Sequence, residues 1–233
     1  MYVANHFAMP PEEIRGLLSG VAAADLVTAH ASGVVATYLP FVFAPEIGEH
    51  GALLTHVARN NSQASEPLIG EALVIVHGAD HYVSPEWSPS LADTGQVVPT
   101  WNYLTVHAYG TLVAHDGLEW IEAVVRRTTA AHESAYSVDD VPEEYVQRML
   151  RAVVGIEVRL TRVLAKAKMS QNKSPDDVRG IVAGLRADTH DAGDESAAAT
   201  ADWMEQHSVP AAERRAALIS NLAATRRAGD ATT

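Results

Sequence analysis

Val97-Val98-Pro99-Thr100-Trp101-Asn102-Tyr103-Leu104-Thr105-Val106-His107 reads as a strand that carries more polar groups than a strand needs. Its β-branched and aromatic residues favour an extended, pleated backbone, and Pro99 suits the start of one. A strand buried in a plain core has no use for an amide, two hydroxyls and an imidazole among its bulky groups. A strand that lines a ligand cavity does. Alternation puts Tyr103, Thr105 and His107 on one face and Asn102, Leu104 and Val106 on the other. Extended to His115, the run becomes one long bent strand or hairpin arm. Three further segments have the same polar-aromatic character: Leu53 to Asn61, Tyr82 to Trp87, and Lys168 to Asn172.

Working outward, the neighbouring patterns are also β. Leu26–His30 reads as a strand, Ala31-Ser32-Gly33 as a turn, and Val34–Phe43 as the returning strand. Gly51–His56 and Ala72–His77 are two more short strands. In 156–161, Ile156, Val158 and Leu160 alternate with Glu157, Arg159 and Thr161, the pattern of a half-buried strand with its charges outward. Helices are expected from Pro10-Pro11-Glu12-Glu13, over 117–132 where Trp120, Val124 and Thr128 recur, from Pro142 to Leu150, and from Ser174-Pro175-Asp176-Asp177 to a stop at Gly184. Short antiparallel strands with helical insertions predict a small α+β barrel over residues 1–185. Residues 186–233 read as an acidic, Ala-rich linker and a C-terminal helix. Asp188–Thr200 has no pattern, and Ser208-Val209-Pro210 opens the helix.

The bulk properties narrow the function. The 233 residues contain no cysteine, which excludes disulfides, thiolate metal sites and cysteine nucleophiles. No apolar run reaches the ~18 residues of a membrane helix, and the N-terminus lacks a signal-peptide pattern, so a cytoplasmic protein with no membrane partner is expected. A net charge of −12 opposes binding to nucleic acid. No phosphate loop, dinucleotide fingerprint, nucleophile elbow or zincin motif is present.

Several residues are candidates for chemistry. His56 and Arg59 end a strand where the chain turns polar. His56 is either a metal ligand through a neutral ring nitrogen or a hydrogen-bonded, half-buried residue. Arg59 is either a bidentate receptor for phosphate or carboxylate or a surface ion-pair partner. His107 is a second candidate ligand or a satisfied interior histidine. Tyr82, Trp87, Trp101 and Tyr103 either stack on a planar ligand or fill the core. Lys166, Lys168, Gln171 and Asn172 form a polar-basic cluster at a strand end, suited to phosphates or propionates or simply solvated.

Taken together, Met1-Tyr2-Val3, His6-Phe7, Leu39-Pro40-Phe41, His56-Val57-Ala58-Arg59-Asn60, Tyr82-Val83-Ser84-Pro85, Val98 to Tyr103 with Val106-His107-Ala108, and Ser170-Gln171-Asn172 resemble the PaiB-type family over residues 1 to about 185. The resemblance implies an FMN-binding, flavin-reductase-like split β-barrel with short peripheral helices, forming a homodimer. FMN-binding transcriptional regulators are one branch of that family. The piperazate synthases are another. They use haem b to close N5-hydroxy-L-ornithine, a hydroxylated amino acid, to L-piperazate through an N–N bond.

Departures from the FMN-type pattern favour the haem branch. Asn61-Ser62-Gln63-Ala64 stands for Asn-Pro-Gln-Trp, and Glu86-Trp87-Ser88-Pro89-Ser90-Leu91 for Ser-Trp-Tyr-Pro-Ser-Lys. A lysine is lost at Leu91 and two aromatics at Ala64 and Ser88, which implies a roomier, less phosphate-directed pocket. The expected site is His56 on iron and Arg59 on a carboxylate, with Asn60, Tyr82, Trp87, Trp101, Asn102, Tyr103, His107, Lys168, Ser170 and Gln171 around the cofactor. His107 is the alternative iron ligand. The alternatives to the haem enzyme are an FMN-binding regulator or flavin-dependent reductase, and a binding module without its cofactor.

Overall fold

The computed structural model describes residues 1–188 and 195–230. The elements in chain order are α1 (Pro11–Ser19), β1 (Ala23–His30), β2 (Gly33–Pro40), β3 (Val42–Ala44), β4 (Ala52–Ala58), α2 (Ser62–Ser65), β5 (Ala72–Val83), α3 (Ser90–Thr94), β6 (Thr100–His115), α4 (Leu118–His132), α5 (Glu143–Arg151), β7 (Val153–Lys168), α6 (Pro175–Ala187), α7 (Glu195–Trp203) and α8 (Val209–Asp230). The seven strands form one sheet in the order β2-β1-β5-β6-β7-β4-β3. The chain divides into two compact units. The first holds Met1, 9–77 and 105–165; the second holds 2–8, 78–104 and the residues from 166 onward.

In the first unit, β1 and β2 form a hairpin from Ala23↔Pro40 to His30↔Gly33. Strict alternation buries Ala24, Leu26, Thr28 and His30. The expected return strand Val34–Phe43 is two strands, not one. Pro40 has no N–H for a ladder, and fully buried Phe41 turns the chain inward before β3 begins. β4 pairs antiparallel with β7 along its whole length, from Ala52↔Arg159 to Ala58↔Val153. Five places separate β2 from β4 in the sheet order, yet the two strands touch, so the sheet curls. Ala44, Ala52 and Leu54 pack against Val124 of α4, with Ile47 and Trp120 completing that core.

The charges of β7 do not all point outward as its alternation predicts. Glu157 is only 3 % exposed. In the second unit, two expectations about helices change. The helix that opens at Ser174 does not stop at Gly184 but runs to Ala187. A Cβ at Gly184 would lie 2.2 Å from Cγ of Trp87, and one at Gly180 would lie 2.2 Å from the Trp87 carbonyl oxygen. The two glycines are a groove for that tryptophan. Residues 195–200, read as linker, begin the helix α7, which buries Ala197, Thr200 and Ala201. The rest of that linker, 189–194, lies outside the described residues. A π-helical turn, Met204–Ser208, joins α7 to α8, so Ser208 closes that turn and does not cap a new helix. Its hydroxyl donates to the Met169 carbonyl at 2.7 Å.

Gly110 shows how closely β6 and β7 approach. A Cβ there would lie 2.3 Å from the Arg159 carbonyl oxygen. Backbone yields little, so Gly110→Ala is expected to destabilise the fold by about 1–3 kcal/mol, as overpacking does. Urea unfolding measures this, and an unchanged midpoint rejects the close approach.

Candidate functional site

In the first unit, the β4–β7 register decides which side chains meet. Leu54 lies opposite Glu157 and His56 opposite Gly155. Ala52, Leu54 and His56 therefore share one face, and Ala52 and Leu54 show that this face packs on α4. His56 is half-buried, and its Nδ1 is fully enclosed with no hydrogen-bond partner. Buried polar atoms are nearly always paired, so this one points to a function. Burial pushes the His56 imidazole below its ordinary value, which keeps it neutral near pH 7.

His56 opens on a cavity of about 220 Å³ lined by Val125, Thr129, Val138, Tyr145, Met149 and Leu150 among others, none of them charged. α4 and α5 supply most of the walls. The amphipathic pattern of each helix turns one apolar side inward, and Tyr136, Tyr145 and Met149 are left exposed at the rim.

Arg59 takes the surface ion-pair alternative of the two its sequence position suggests. Its Nε donates to the Arg151 carbonyl at 2.9 Å, and its two terminal nitrogens donate to Asp116 at 2.7 Å and to the Val153 carbonyl at 2.8 Å. It fastens the end of β4 to the start of β7. Asn60 is exposed at the turn. His107 lies on β6, and β7 separates its strand from that of His56. Its Nδ1 is also enclosed and unpaired. Burial first, then the N-terminal amine and His77, hold it below its ordinary value. Among the described residues, no group of three or more His, Asp or Glu side chains is placed to hold a metal ion.

A cluster on the same face carries no signal in the β7 alternation. The Nε2 of His115 meets Glu157 at 2.7 Å, and the Nε of Arg159 donates to the other carboxylate oxygen at 2.7 Å. Burial acts to raise Glu157, but the hydrogen bonds and charges of Arg159 and His115 outweigh it and lower its pKa. The His115 ring stacks on Trp120 at 3.9 Å and 8°. Gly155, a glycine within a strand, was the available signal.

The second unit holds the remaining candidates. Tyr82 and Trp101 are both largely exposed, with ring centroids 6.3 Å apart. Tyr103 has Lys166 and Lys168 near its ring, at 5.6 and 5.8 Å. Lys168 donates to the Thr100 hydroxyl and the Trp101 carbonyl, both at 2.5 Å. Burial first, then Lys166 and Lys173, lower its pKa.

Asn102 does not line a wall; it is fully buried. It accepts from the Ser170 hydroxyl at 3.0 Å and donates to the Met204 sulfur at 3.2 Å. Ser170 has φ +61°, a left-handed conformation in a non-glycine residue. Gln171 closes its own turn, accepting from Met169 N and donating to the Ala167 carbonyl. Trp87 is spent in the α6 groove. Ser88, where an aromatic is missing, is enclosed at 3 % exposure, so its loss opens no pocket mouth.

These elements define a split-barrel α+β protein. The chain belongs to the family described as "Putative FMN-binding domain", which matches residues 1–162. It is similar to an uncharacterized protein of Emericella nidulans, 29 % identical over 196 residues that cover 69 % of this chain and 78 % of that one. It is also similar to the protease synthase and sporulation protein PAI 2 of Bacillus subtilis, 25 % identical over 80 % of this chain and 89 % of that one. Among solved structures, the flavocytochrome Anf3 of Azotobacter vinelandii has the same fold, with a TM-score of 0.50 and 11 % identity over 71 % of this chain and 72 % of that chain. Among the described residues, no helix is long and apolar enough to cross a membrane.

The lowered pKa of His56 has a signed consequence for stability. The unfolded chain binds a proton near pH 6.5, and the folded chain only at lower pH. The stability that neutral His56 contributes is therefore complete above the unfolded value. It is lost as pH falls from there through the folded value, and is constant below it. His107 acts in the same direction. His56→Leu is expected to melt with less dependence on pH between neutral and mildly acidic buffer than the wild type. Parallel melting curves for the two proteins across that range would reject the assignment.

Proposed function

We propose that the protein is a haem b enzyme that closes N5-hydroxy-L-ornithine to L-piperazate with loss of water, and that His56 is its iron ligand. The observation that carries this reading is the enclosed, unpaired Nδ1 of His56 beside an uncharged cavity. A neutral imidazole among apolar walls suits a residue that would hold a haem iron. The cavity, at about 220 Å³, is smaller than the ~300–1,000 Å³ of most small-molecule pockets.

Bound iron would supply Lewis acidity toward the hydroxylamine. The chain supplies the rest. Burial keeps His56 unprotonated and free to bind. The apolar walls exclude water. Thr129, Tyr136 and Tyr145 bring the hydroxyl groups of the lining, which can orient the substrate's polar ends. The reaction is intramolecular, so holding the α-amine against the N5 nitrogen supplies much of the rate. Arg59 acts by keeping β4 and β7 in register; Asp116 and the Arg151 and Val153 carbonyls take its guanidinium, not a carboxylate of the cofactor or substrate. A homodimer in the cytoplasm is part of this proposal.

A second reading rests on the other unit. Tyr103 with Lys166 and Lys168, beside the exposed pair Tyr82 and Trp101, offers aromatic faces and cations that suit FMN. The protein is then a flavin-dependent reductase or a PaiB-like regulator. Its net charge of −12 favours a reductase, or a regulator that works through a protein partner.

The absorption spectrum of the purified protein separates the two. A Soret band that survives dialysis, lost in His56→Ala, together with piperazate formed from N5-hydroxyornithine, is the expected result. A flavin spectrum without a Soret band sinks the haem reading.

A further inference from the structure

We propose that Trp120 is the positioning residue of the His56 site. Its indole walls His56 on the β7 side, and the His115–Glu157–Arg159 chain fixes the indole in place. This rests on the reading that His56 holds the prosthetic group.

Two costly choices in β7 converge on this one ring. A glycine inside a paired strand weakens the sheet and marks a place where another group comes close. At Gly155 that group is Trp120. A Cβ there would lie 2.2 Å from Cζ3 and 2.5 Å from Cε3 of the indole. The indole therefore occupies the side-chain position directly opposite His56 in the ladder. Cross-strand neighbours of this kind have Cβ atoms roughly 4.5–5.5 Å apart, within contact range of an aromatic ring.

The second costly choice is a buried carboxylate. An apolar residue in the place of Glu157 often serves stability as well as a buried ion pair does. Here Glu157 holds His115 by Nε2 at 2.7 Å, and Arg159 holds Glu157. The imidazole so fixed stacks flat on Trp120. Gly155 makes the space for the indole, and Glu157 sets its angle through His115. A purely hydrophobic core position requires neither. Trp120 also packs on the core cluster of Ala44, Ala52, Leu54 and Val124, which includes the residues that precede His56 on its face of β4. The ring thus backs His56 on its β7 side, while Val125 and Thr129 of α4 and the residues of α5 line the cavity on which His56 opens.

Two measurements on Trp120→Ala, Trp120→Phe, Gly155→Ala and His115→Gln test this. The first is carbethoxylation of His56 by diethyl pyrocarbonate in protein free of haem, mapped by mass spectrometry. It is expected to be several-fold faster in Trp120→Ala and Gly155→Ala, close to wild type in Trp120→Phe, and intermediate in His115→Gln. The second is titration with haemin, followed by the Soret band. Trp120→Ala and Gly155→Ala are expected to bind about tenfold more weakly, the equivalent of ~1.4 kcal/mol and within the range of an aromatic contact. Trp120→Phe restores most of the loss.

A wild-type carbethoxylation rate in folded Trp120→Ala or Gly155→Ala overturns the wall. If Trp120→Ala does not fold, Gly155→Ala and His115→Gln decide. A wild-type protein that takes up no haemin defeats the haem reading, and the wall then stands or falls on carbethoxylation alone.

Discussion

The antiparallel pairing of β4 with β7 is the constraint on which the first unit depends. It runs unbroken from Ala52↔Arg159 to Ala58↔Val153. Side chains in a strand alternate, so a slip of one residue would turn His56 away from α4 and bring Thr55 and Val57 toward it. Two devices hold the register. At one end Arg59 ties its guanidinium to the Arg151 and Val153 carbonyls. Near the other, Gly51 accepts from Leu160 N at 3.0 Å through its carbonyl and takes φ +84° with Phe43 packed against it. With register fixed, Leu54 faces Glu157 and His56 faces Gly155. The cavity, the carboxylate and the indole then fall into place.

What the sequence discloses and what it hides follow a physical division. The strands and α4 are legible because each is amphipathic in its own right: β1 alternates without a fault, and Trp120, Val124 and Thr128 repeat at helical spacing. His56 is legible as a candidate because it ends an apolar strand just before a polar turn. The uses that the sequence leaves undecided belong to residues whose partners are distant in sequence. Arg59 looks like an anion receptor until the carbonyls of 151 and 153 arrive beside it. Trp87 and Asn102 look like ligand contacts, but Gly180, Gly184 and Met204 claim them. Those partners lie near or beyond the point where composition suggested that structure gives way to a tail. Glu157 is hidden for the same reason. Alternation along β7 cannot know that β6 delivers His115 to it.

The second unit shows why that C-terminal portion counts. Asn102 is satisfied only because Ser170 and Met204 reach it, and Met169 receives the Ser208 hydroxyl. An amide at zero exposure needs its partners, and losing one leaves a buried polar group at a cost of about 1–3 kcal/mol. The left-handed Ser170 and the π-helical turn are local strains that this network holds. They keep the end of β7, and the lysines that precede it, in one arrangement.

The order of strands in the sheet also governs how the chain acquires its structure. β4 is made early and its partner β7 late, with β5, β6, α4 and α5 between them. A nascent chain elongating at about 5–20 residues per second holds β4 unpaired on that side for roughly 5–20 s before residue 159 is made. Ala52, Leu53, Leu54 and Val57, all buried in the finished protein, are uncovered meanwhile. In that interval the short pairing with β3 covers Ala52, Leu53 and Leu54 and does not reach Val57. Such a topology folds slowly, because its decisive contact closes a long loop. Synthesis of this protein therefore includes a period of exposed β edge, and yield in a cell depends on what shields that edge until β7 emerges.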